Sequence, residues 1–200
     1  MIESKLLQSG LTKIAGVDEA GRGACAGPLV IAAVILKDIT DAKLAKVRDS
    51  KELKPGMREE LFEVIVDLAH DYSIIEISAA EIDVIGLHKA NLEGMRRAIN
   101  ALEVEPEYVL TDGYEISGLG SESLAIWKGD QVAISISAAS ILAKVYRDRI
   151  MINLDRQYPG YHFADHKGYV TRTHERSLNE LGVTAIHRKS YANIQALINK

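Results

Sequence analysis

Two adjacent carboxylates at the end of a short apolar run constrain this chain more than any other feature. Residues 14–17 are typical of a buried strand, and Asp18 and Glu19 follow them directly. The glycines at positions 21 and 23 then let the backbone approach a ligand closely. Because two ionised carboxylates repel each other, a fold that keeps both at a strand end favours a cation between them. The pair therefore indicates a metal site, although it also fits a solvated strand end before a glycine turn.

Two further apolar runs end near acids. Residues 108–111 are followed by Asp112, and residues 124–127 are followed after two positions by Asp130. If these strands run parallel to the first, their carboxyl ends lie at one edge of the sheet, where open α/β folds bind ligands. Four carboxylates suit Mg²⁺ or Mn²⁺, and the sequence has no Cys and His spacing of the kind that zinc requires. Taken singly, each Asp beside a glycine is also typical of a capped turn.

Length and composition predict one domain, residues 1–200. The chain contains no Pro/Gly/Ser-rich linker and no repeat, and its longest apolar run, Leu29–Leu36, is too short to span a bilayer. The first five residues do not begin a secretory signal, and the single Cys25 cannot form an internal disulfide. We therefore expect a cytoplasmic protein that does not bind membranes.

The charges are unevenly distributed along the chain. From Lys144 to Lys200 there are ten Lys and Arg against five Asp and Glu, whereas the preceding residues carry 14 against 23. An acidic body with a basic tail is typical of an enzyme that binds a polyanion while cations screen its carboxylates. The same tail is also compatible with an ordinary solvated helical face.

The periodicity of apolar residues predicts a mixed α/β sheet with a helical appendage. The predicted strands are residues 14–19, 29–36, 72–78, 108–111 and 124–127. The predicted helices are residues 55–70, 87–102, 135–158, 171–181 and 191–198. The first three strands are expected to form a meander, and the last two helices belong to the basic tail.

Six motifs in this order resemble those of bacterial ribonuclease HII, from about residue 14 to residue 190. They are residues 17–23 with Gly27-Pro28, Asp49-Ser50-Lys51, Thr111-Asp112-Gly113, Lys128-Gly129-Asp130, residues 137–145 and residues 166–169. The resemblance implies a ribonuclease H-like fold with a central five-stranded mixed sheet flanked by helices and a C-terminal helical extension. Residues 1–160 would form the catalytic α/β core and residues 161–200 a substrate-binding extension.

The activity that this resemblance implies is endonucleolytic. The substrates would be the RNA strand of RNA/DNA hybrids and single ribonucleotides embedded in duplex DNA, which gives the protein a role in removing ribonucleotides from DNA. Cleavage 5′ of the ribonucleotide would use two Mg²⁺ or Mn²⁺ ions, which stabilise the attacking and leaving oxygens, and would leave 5′-phosphate and 3′-hydroxyl ends. The protein is expected to act as a monomer.

The resemblance also implies roles for individual residues. Asp18, Glu19, Asp112 and Asp130 would bind the metals, with Asp18 bridging the two ions. Gly21, Arg22 and Gly23 would sense the 2′-hydroxyl through their backbone groups, and Tyr169 would stack on the following deoxyribose. The predicted phosphate neighbours are Lys51, Ser140, Lys144, His166 and Lys167.

The chain departs from the family pattern at two places. Many members have a proline directly after the Gly-Arg-Gly segment, where this chain has Ala24-Cys25, and many have a second lysine in place of Glu52. Two other functions stay open: another two-metal nuclease or strand-transfer enzyme of the same superfamily, and a non-catalytic nucleic-acid-binding module. The motifs leave open the preferred metal, the relative activity on the two substrates and any docking to replication or repair proteins.

Overall fold

A single mixed sheet of five strands organises the protein, whose computed structural model describes residues 2–199. The strands are β1 (Ile14–Ala20), β2 (Leu29–Leu36), β3 (Ala69–Ile77), β4 (Tyr108–Asp112) and β5 (Glu122–Ile126). Their order is β3-β2-β1-β4-β5. The first three form the predicted antiparallel meander, and β4 and β5 run parallel to β1. The predicted fold class is confirmed, and the carboxyl ends of β1, β4 and β5 lie at the same edge.

Eight α-helices accompany the sheet in the described part of the chain. They are α1 (Ile2–Gln8), α2 (Pro55–Leu68), α3 (Ala79–Ile85), α4 (Leu87–Asn100), α5 (Ile134–Gln157), α6 (Phe163–His166), α7 (Arg172–Leu181) and α8 (Ala192–Ile198). Short 3-10 helices occur at Ala42–Lys46, Ser50–Glu52 and Gly129–Gln131. All five predicted helices are present, including both in the tail. The division into a core and an extension at residue 160 stays a prediction.

Sequence periodicity misplaced several boundaries, among them the start of β3 and both ends of β5, and it missed three helices. The predicted helix 55–70 ends at Leu68, and β3 begins at Ala69 because its backbone pairs with Leu36 of β2. The missed helices α1, α3 and α6 have only seven, seven and four residues. Helices this short are formed by caps and tertiary contacts, which leave little periodic signal.

Helices cover both faces of the sheet. On one face α5 and α2 pack against β2 and β3, and on the other face α4 packs against residues of the sheet such as Ile31 and Ile77. All eight residues of β2 are buried, which explains its continuous apolar sequence. At Gly16 of β1, an added Cβ would lie 2.1 Å from the carbonyl carbon of Ser135. The backbones of β1 and α5 therefore touch, which places α5 directly beside the acidic end of β1.

Helix α1 is attached to the start of α5 by a buried carboxylate. Glu3 is 0% exposed, and its Oε1 accepts hydrogen bonds from the Ser135 backbone N–H at 3.0 Å and from its hydroxyl at 2.9 Å. This carboxylate satisfies one of the free N–H groups at the start of α5 and complements the helix dipole. Among residues 2–199, no helix is both long enough and apolar enough to cross a membrane.

Candidate metal and nucleic-acid site

Three of the four predicted acids converge at the carboxyl edge of the sheet. Asp18 lies near the end of β1, Asp112 ends β4, and Asp130 lies in the 3-10 helix after β5. One carboxylate oxygen from each lies within 4.8 Å of the others. Asp18 is only 4% exposed and Asp130 only 3%. Such a cluster of buried oxygens has the composition of a Mg²⁺ or Mn²⁺ site.

Glu19 approaches the same cleft from the opposite face of β1. Neighbouring strand residues point to opposite faces, and β1 continues through Glu19 to Ala20. Asp18 accordingly contacts Ser140 of α5, whereas Glu19 lies beside Asn91 of α4. Glu19 is outside the three-carboxylate cluster, but it lines a cleft together with Asp112. Glu19, Asp112 and Asp130 thus line one cleft, and the buried Asp18 offers an oxygen within 4.8 Å of those of Asp112 and Asp130.

Burial and mutual repulsion keep these carboxyls from ionising easily. Burial, followed by the charges of Glu19 and Asp112, raises the pKa of Asp18 well above its usual value. Burial and Asp112 raise the pKa of Glu19 to about 7, and burial with nearby acids also raises the pKa of Asp130. Glu19 Oε2 is buried without a hydrogen-bond partner. A divalent cation would satisfy this oxygen and remove the repulsion, so these residues fit the metal that their chemistry implies.

Two residues of the site were not predicted. Asp49 is 7% exposed, and its charge helps to raise the pKa of Asp130. It belongs to the matched Asp49-Ser50-Lys51 motif, which could have drawn attention to it. Asn91 is fully buried, and neither of its amide atoms forms a hydrogen bond of normal geometry, yet it lies close enough to lower the pKa of Glu19. No sequence signal marked Asn91, because α4 had only a packing role in the predicted fold.

The five predicted phosphate neighbours lie in different surroundings. Lys51 has a 78% exposed side chain, with Nζ 3.6 Å from Asp130 Oδ2. Ser140 is buried, and its hydroxyl lies 2.9 Å from that of Ser50. Lys144 donates to Asp148, His166 Nε2 lies 2.8 Å from the Tyr161 carbonyl, and Lys167 Nζ donates to the Ala164 carbonyl. The structure brings Lys51 and Ser140 to the acids and gives the other three intramolecular partners.

The Gly-Arg-Gly segment forms a tight turn after β1. Gly21 has φ +90, and a Cβ on it would lie 1.9 Å from Nε of Arg147. Gly23 is exposed, and a Cβ there would meet only the Tyr169 ring, at 3.8 Å. The guanidinium of Arg22 lies 5.2 Å from the centroid of the Tyr114 ring. The turn therefore places the Gly23 backbone beside Tyr169, as its predicted role requires.

Two fully buried arginines hold this turn by donating to backbone carbonyls. Arg147 donates to the Pro28 carbonyl at 2.9 Å, to the Ala26 carbonyl at 3.0 Å and to the Lys167 carbonyl at 2.9 Å. Arg188 Nη1 donates to the Arg22 carbonyl at 3.0 Å. Charged donors form stronger hydrogen bonds than neutral ones, so this arrangement ties the turn firmly to the segment around Tyr169.

A pair of buried histidines holds the Tyr169 carbonyl through a chain of hydrogen bonds. The Thr184 N–H donates to His187 Nδ1 at 3.0 Å, which leaves the His187 proton on Nε2. That proton is donated to His174 Nε2 at 3.1 Å, and His174 Nδ1 then donates to the Tyr169 carbonyl at 3.0 Å. Burial lowers the pKa of both histidines to about 4, so both are neutral near pH 7.

The sheet order and the buried acids at the ends of neighbouring strands define a metal-dependent nuclease of the ribonuclease H-like class. The comparisons with known proteins give the particular family. The model of the family described as "Ribonuclease HII" matches residues 15–194. This chain therefore belongs to the ribonuclease HII family.

Similar proteins support this assignment along nearly the whole chain. The ribonuclease HII of Rhodococcus erythropolis is 54% identical over 195 residues, which cover 98% of this chain and 86% of that protein. The ribonuclease HII of Cutibacterium acnes is 52% identical over 96% of this chain and 95% of that protein. The crystal structure of ribonuclease H2 from Pyrococcus horikoshii has a TM-score of 0.82 at 30% identity and covers 94% of this chain and 97% of that chain. The protein is thus a hydrolase, a metal-dependent endonuclease that acts on RNA/DNA hybrids.

Proposed function

We propose that Asp18, Glu19, Asp112 and Asp130 bind two divalent cations, Mg²⁺ or Mn²⁺, and that the protein also cuts duplex DNA on the 5′ side of single ribonucleotides. The observation that carries the metal assignment is the convergence of three carboxylates within 4.8 Å, with the unpartnered oxygen of Glu19 beside them. Without cations, these acids would repel the phosphate backbone of a substrate. A purely binding module would have no use for such a cluster.

The two acids of β1, Asp18 and Glu19, lie on opposite faces of the strand. Asp18 adjoins Glu19 in β1 and offers an oxygen within 4.8 Å of those of Asp112 and Asp130, so we assign it to both metal positions. Bound divalent cations would stabilise charge on the attacking and leaving oxygens of an in-line displacement. Asn91 lies beside Glu19 on the α4 side, and Ser140 lies beside Asp18 on the α5 side. Lys51 contributes a mobile positive charge at the rim, where it can neutralise a phosphate.

We assign recognition of the ribonucleotide to the turn after β1, residues 21–23, and to Tyr169. Gly23 is exposed, and only the Tyr169 ring lies within 4 Å of the position that its Cβ would take, so a ribose can approach this backbone beside the ring. Backbone groups of Gly21, Arg22 and Gly23 would bond the 2′-hydroxyl, the one local group that distinguishes RNA from DNA. Tyr169 would pack on the deoxyribose that follows. The roles of Lys144, His166 and Lys167 as phosphate neighbours stay predictions.

The nucleophile in this scheme is water, and the 2′-hydroxyl of the substrate serves only for recognition. The products therefore carry a 5′-phosphate and a 3′-hydroxyl. Analysis of the ends by mass spectrometry checks this assignment, and a 2′,3′-cyclic phosphate would contradict it.

Two duplexes that differ by one ribonucleotide test the function. We expect the purified protein to cut the ribonucleotide-containing duplex and an RNA/DNA hybrid with Mg²⁺, but to leave the all-DNA duplex intact. Asp18→Asn should abolish cleavage while circular dichroism shows a folded protein. Asp67→Asn, an exposed acid with a side chain 72% accessible, is the matched control and should keep full activity. Cleavage of all duplexes alike, or near-normal turnover by Asp18→Asn, would refute the proposal.

Substitutions of Tyr169 distinguish recognition of the substrate from binding of the metal. Loss of an aromatic packing contact is worth about 1–3 kcal/mol, so Tyr169→Ala should cut single-ribonucleotide duplexes about 5- to 150-fold less efficiently. Tyr169→Phe keeps the ring and should retain most activity. Both variants should bind Mg²⁺ with normal affinity in calorimetry. Wild-type cleavage by Tyr169→Ala would exclude the assigned contact while leaving the metal site intact.

We also propose that the protein works as a monomer in the cytoplasm and removes ribonucleotides from DNA during replication and repair. Every acid and every element of the recognition turn comes from one chain, so a second copy is not needed to complete the site. Sedimentation velocity of the active protein checks this point, and a stable dimer whose dissociation abolishes activity would contradict it.

A further inference from the structure

The single tryptophan of the chain lies exposed beside the acidic cluster. Trp127 follows β5 directly, and the preceding Ile126 pairs with Asp112 across the sheet. The residue is 82% exposed. It lines the same cleft as Asp112 and Asp130, a hollow of about 410 Å³. Trp127 therefore stands at the rim of the metal site, and the function proposed above gives it no role.

The backbone next to Trp127 is fixed by the site itself. Lys128 has a left-handed conformation, with φ 55 and ψ 47, which is costly for a residue other than glycine. This turn aims the Gly129 N–H at Asp112 Oδ1, at 2.7 Å. A Cβ on Gly129 would lie 2.5 Å from Ile136 Cδ1, so the segment cannot shift toward the core. The position of Trp127 is thus determined by the same hydrogen bond that orients a predicted metal ligand.

The surroundings of Trp127 suit a sugar–phosphate backbone. A tryptophan can bury about 150–250 Å², so Trp127 offers a large apolar surface to a ligand at the edge of this cleft. Lys128 is exposed next to it, and the exposed Lys51 lines the same cleft. An apolar ring with an N–H donor, in a cleft that also carries two exposed lysines, complements sugars flanked by phosphates. The positive charges disfavour a basic partner.

We infer that Trp127 and Lys128, which follow the edge strand β5, form a second nucleic-acid contact beside the acids. The indole packs against a sugar of the bound duplex, and the Lys128 ammonium pairs with an adjacent phosphate. This contact holds the substrate near the scissile bond, whatever the sugar there. The inference rests on the proposed function, because it assumes that the acids mark the scissile phosphate.

Tryptophan fluorescence tests the contact directly, because the chain has only one such residue. An RNA/DNA hybrid is titrated into the full-length Asp18→Asn variant with Mg²⁺, and the indole emission should be quenched and shifted as the duplex binds. The control adds Trp127→Phe and Tyr72→Trp to the same Asp18→Asn protein. Its tryptophan then lies on β3, the edge strand opposite to β5, at a position that is 40% exposed. We expect this control to bind the duplex, as measured by anisotropy of a labelled strand, without an emission change.

Steady-state kinetics distinguish a role of Trp127 in substrate binding, which changes KM, from a role in the chemical step, which changes kcat. Trp127→Ala should raise KM for hybrids and for single-ribonucleotide duplexes about tenfold, which corresponds to about 1.4 kcal/mol, with kcat unchanged. Trp127→Phe should recover most of this loss. Lys128→Asn tolerates the left-handed backbone and should lower the slope of binding against salt by about one phosphate contact. Trp127→Ala should leave that slope unaltered.

The outcomes distinguish this inference from the proposed function. If the wild-type protein cleaves hybrids but Trp127→Ala has a normal KM and binding leaves the emission unchanged, the inference is wrong and the function stands. The rim would then be free for a protein partner. If Trp127→Ala lowers kcat with KM unchanged, Trp127 supports the metal site and the inference is also wrong. If the wild-type protein cleaves no hybrid, the function itself fails.

Discussion

Replacing two glycines of the same turn by alanine should have opposite consequences. At Gly21, φ is +90, and the new Cβ would lie 1.9, 2.5 and 2.6 Å from Nε, Cδ and Cζ of Arg147. At Gly23, the structure indicates no positive φ, and the new Cβ would meet only the Tyr169 ring, at the ordinary contact distance of 3.8 Å. The pair therefore compares a substitution that the fold resists with one that it accommodates.

The cost at Gly21 follows from these distances. A left-handed alanine costs about 1–2 kcal/mol. Arg147 would also have to move, although it is fully buried and donates to three carbonyls. Loss of even one hydrogen bond from a charged donor costs about 1.5–3 kcal/mol. We expect Gly21→Ala to lower the free energy of unfolding by about 3–5 kcal/mol, whereas Gly23→Ala should change it by less than about 0.5 kcal/mol.

Urea denaturation of both variants, followed by circular dichroism in EDTA, measures these differences. A Gly21→Ala protein within about 1 kcal/mol of the wild type would refute the packing argument. Activity gives the second readout: Gly23→Ala should remain stable yet cut single-ribonucleotide duplexes at least about tenfold less efficiently, because its methyl group fills the space beside Tyr169. Full activity in Gly23→Ala would remove this position from the recognition site.

Three further results are expected. Because the pKa values of His174 and His187 are about 4 in the folded protein against 6.5 normally, the stability that this neutral pair contributes is complete above pH 6.5 and is lost as pH decreases toward 4, opposite in sign to the contribution of Glu19, whose pKa is raised to about 7. Urea midpoints across this range should show the loss, and a control with the exposed His70→Gln should follow the wild-type curve. Arg147→Met should lower stability by about 3–5 kcal/mol in the same assay, since it leaves buried carbonyls unpaired; a change below about 1 kcal/mol would contradict this. Asp18→Asn should raise the melting temperature in EDTA at pH 7.5 but abolish the stabilisation by Mg²⁺, and an unchanged response to Mg²⁺ would argue against Asp18 as a ligand.

The sequence predicted all five strands, and it predicted the convergence of the acids on the condition that β1, β4 and β5 run parallel. Each strand contains a short apolar run with an acid at or near its end, and the strand pairing in the structure supplies the parallel direction that places Asp18, Asp112 and Asp130 at one edge. The strand alternation also raised the question of how Glu19 could join Asp18. In the structure, Asp18 faces α5 and Glu19 faces α4, and both carboxyls still lie close to Asp112.

The supporting contacts could not be predicted in the same way. Arg147 and Arg188 are charged residues in a basic tail, and composition favours solvent or nucleic acid for such side chains, yet both are buried against backbone carbonyls. His174 lies in α7 and pairs with His187, which is 13 positions further along the chain and beyond the end of that helix. These contacts depend on how the segment after α5 folds back onto the turn after β1, and neither periodicity nor spacing reports such long-range packing.

The buried carboxylate of Glu3 has a practical consequence for handling the protein. It is the side chain that caps α5, so removing the first turn of α1 from a recombinant form would uncap a helix that begins four residues after Asp130. We expect such a truncation to speed amide hydrogen exchange at Ser135 before any global unfolding is seen. Purification tags and fluorescent fusions are therefore better attached at the other terminus.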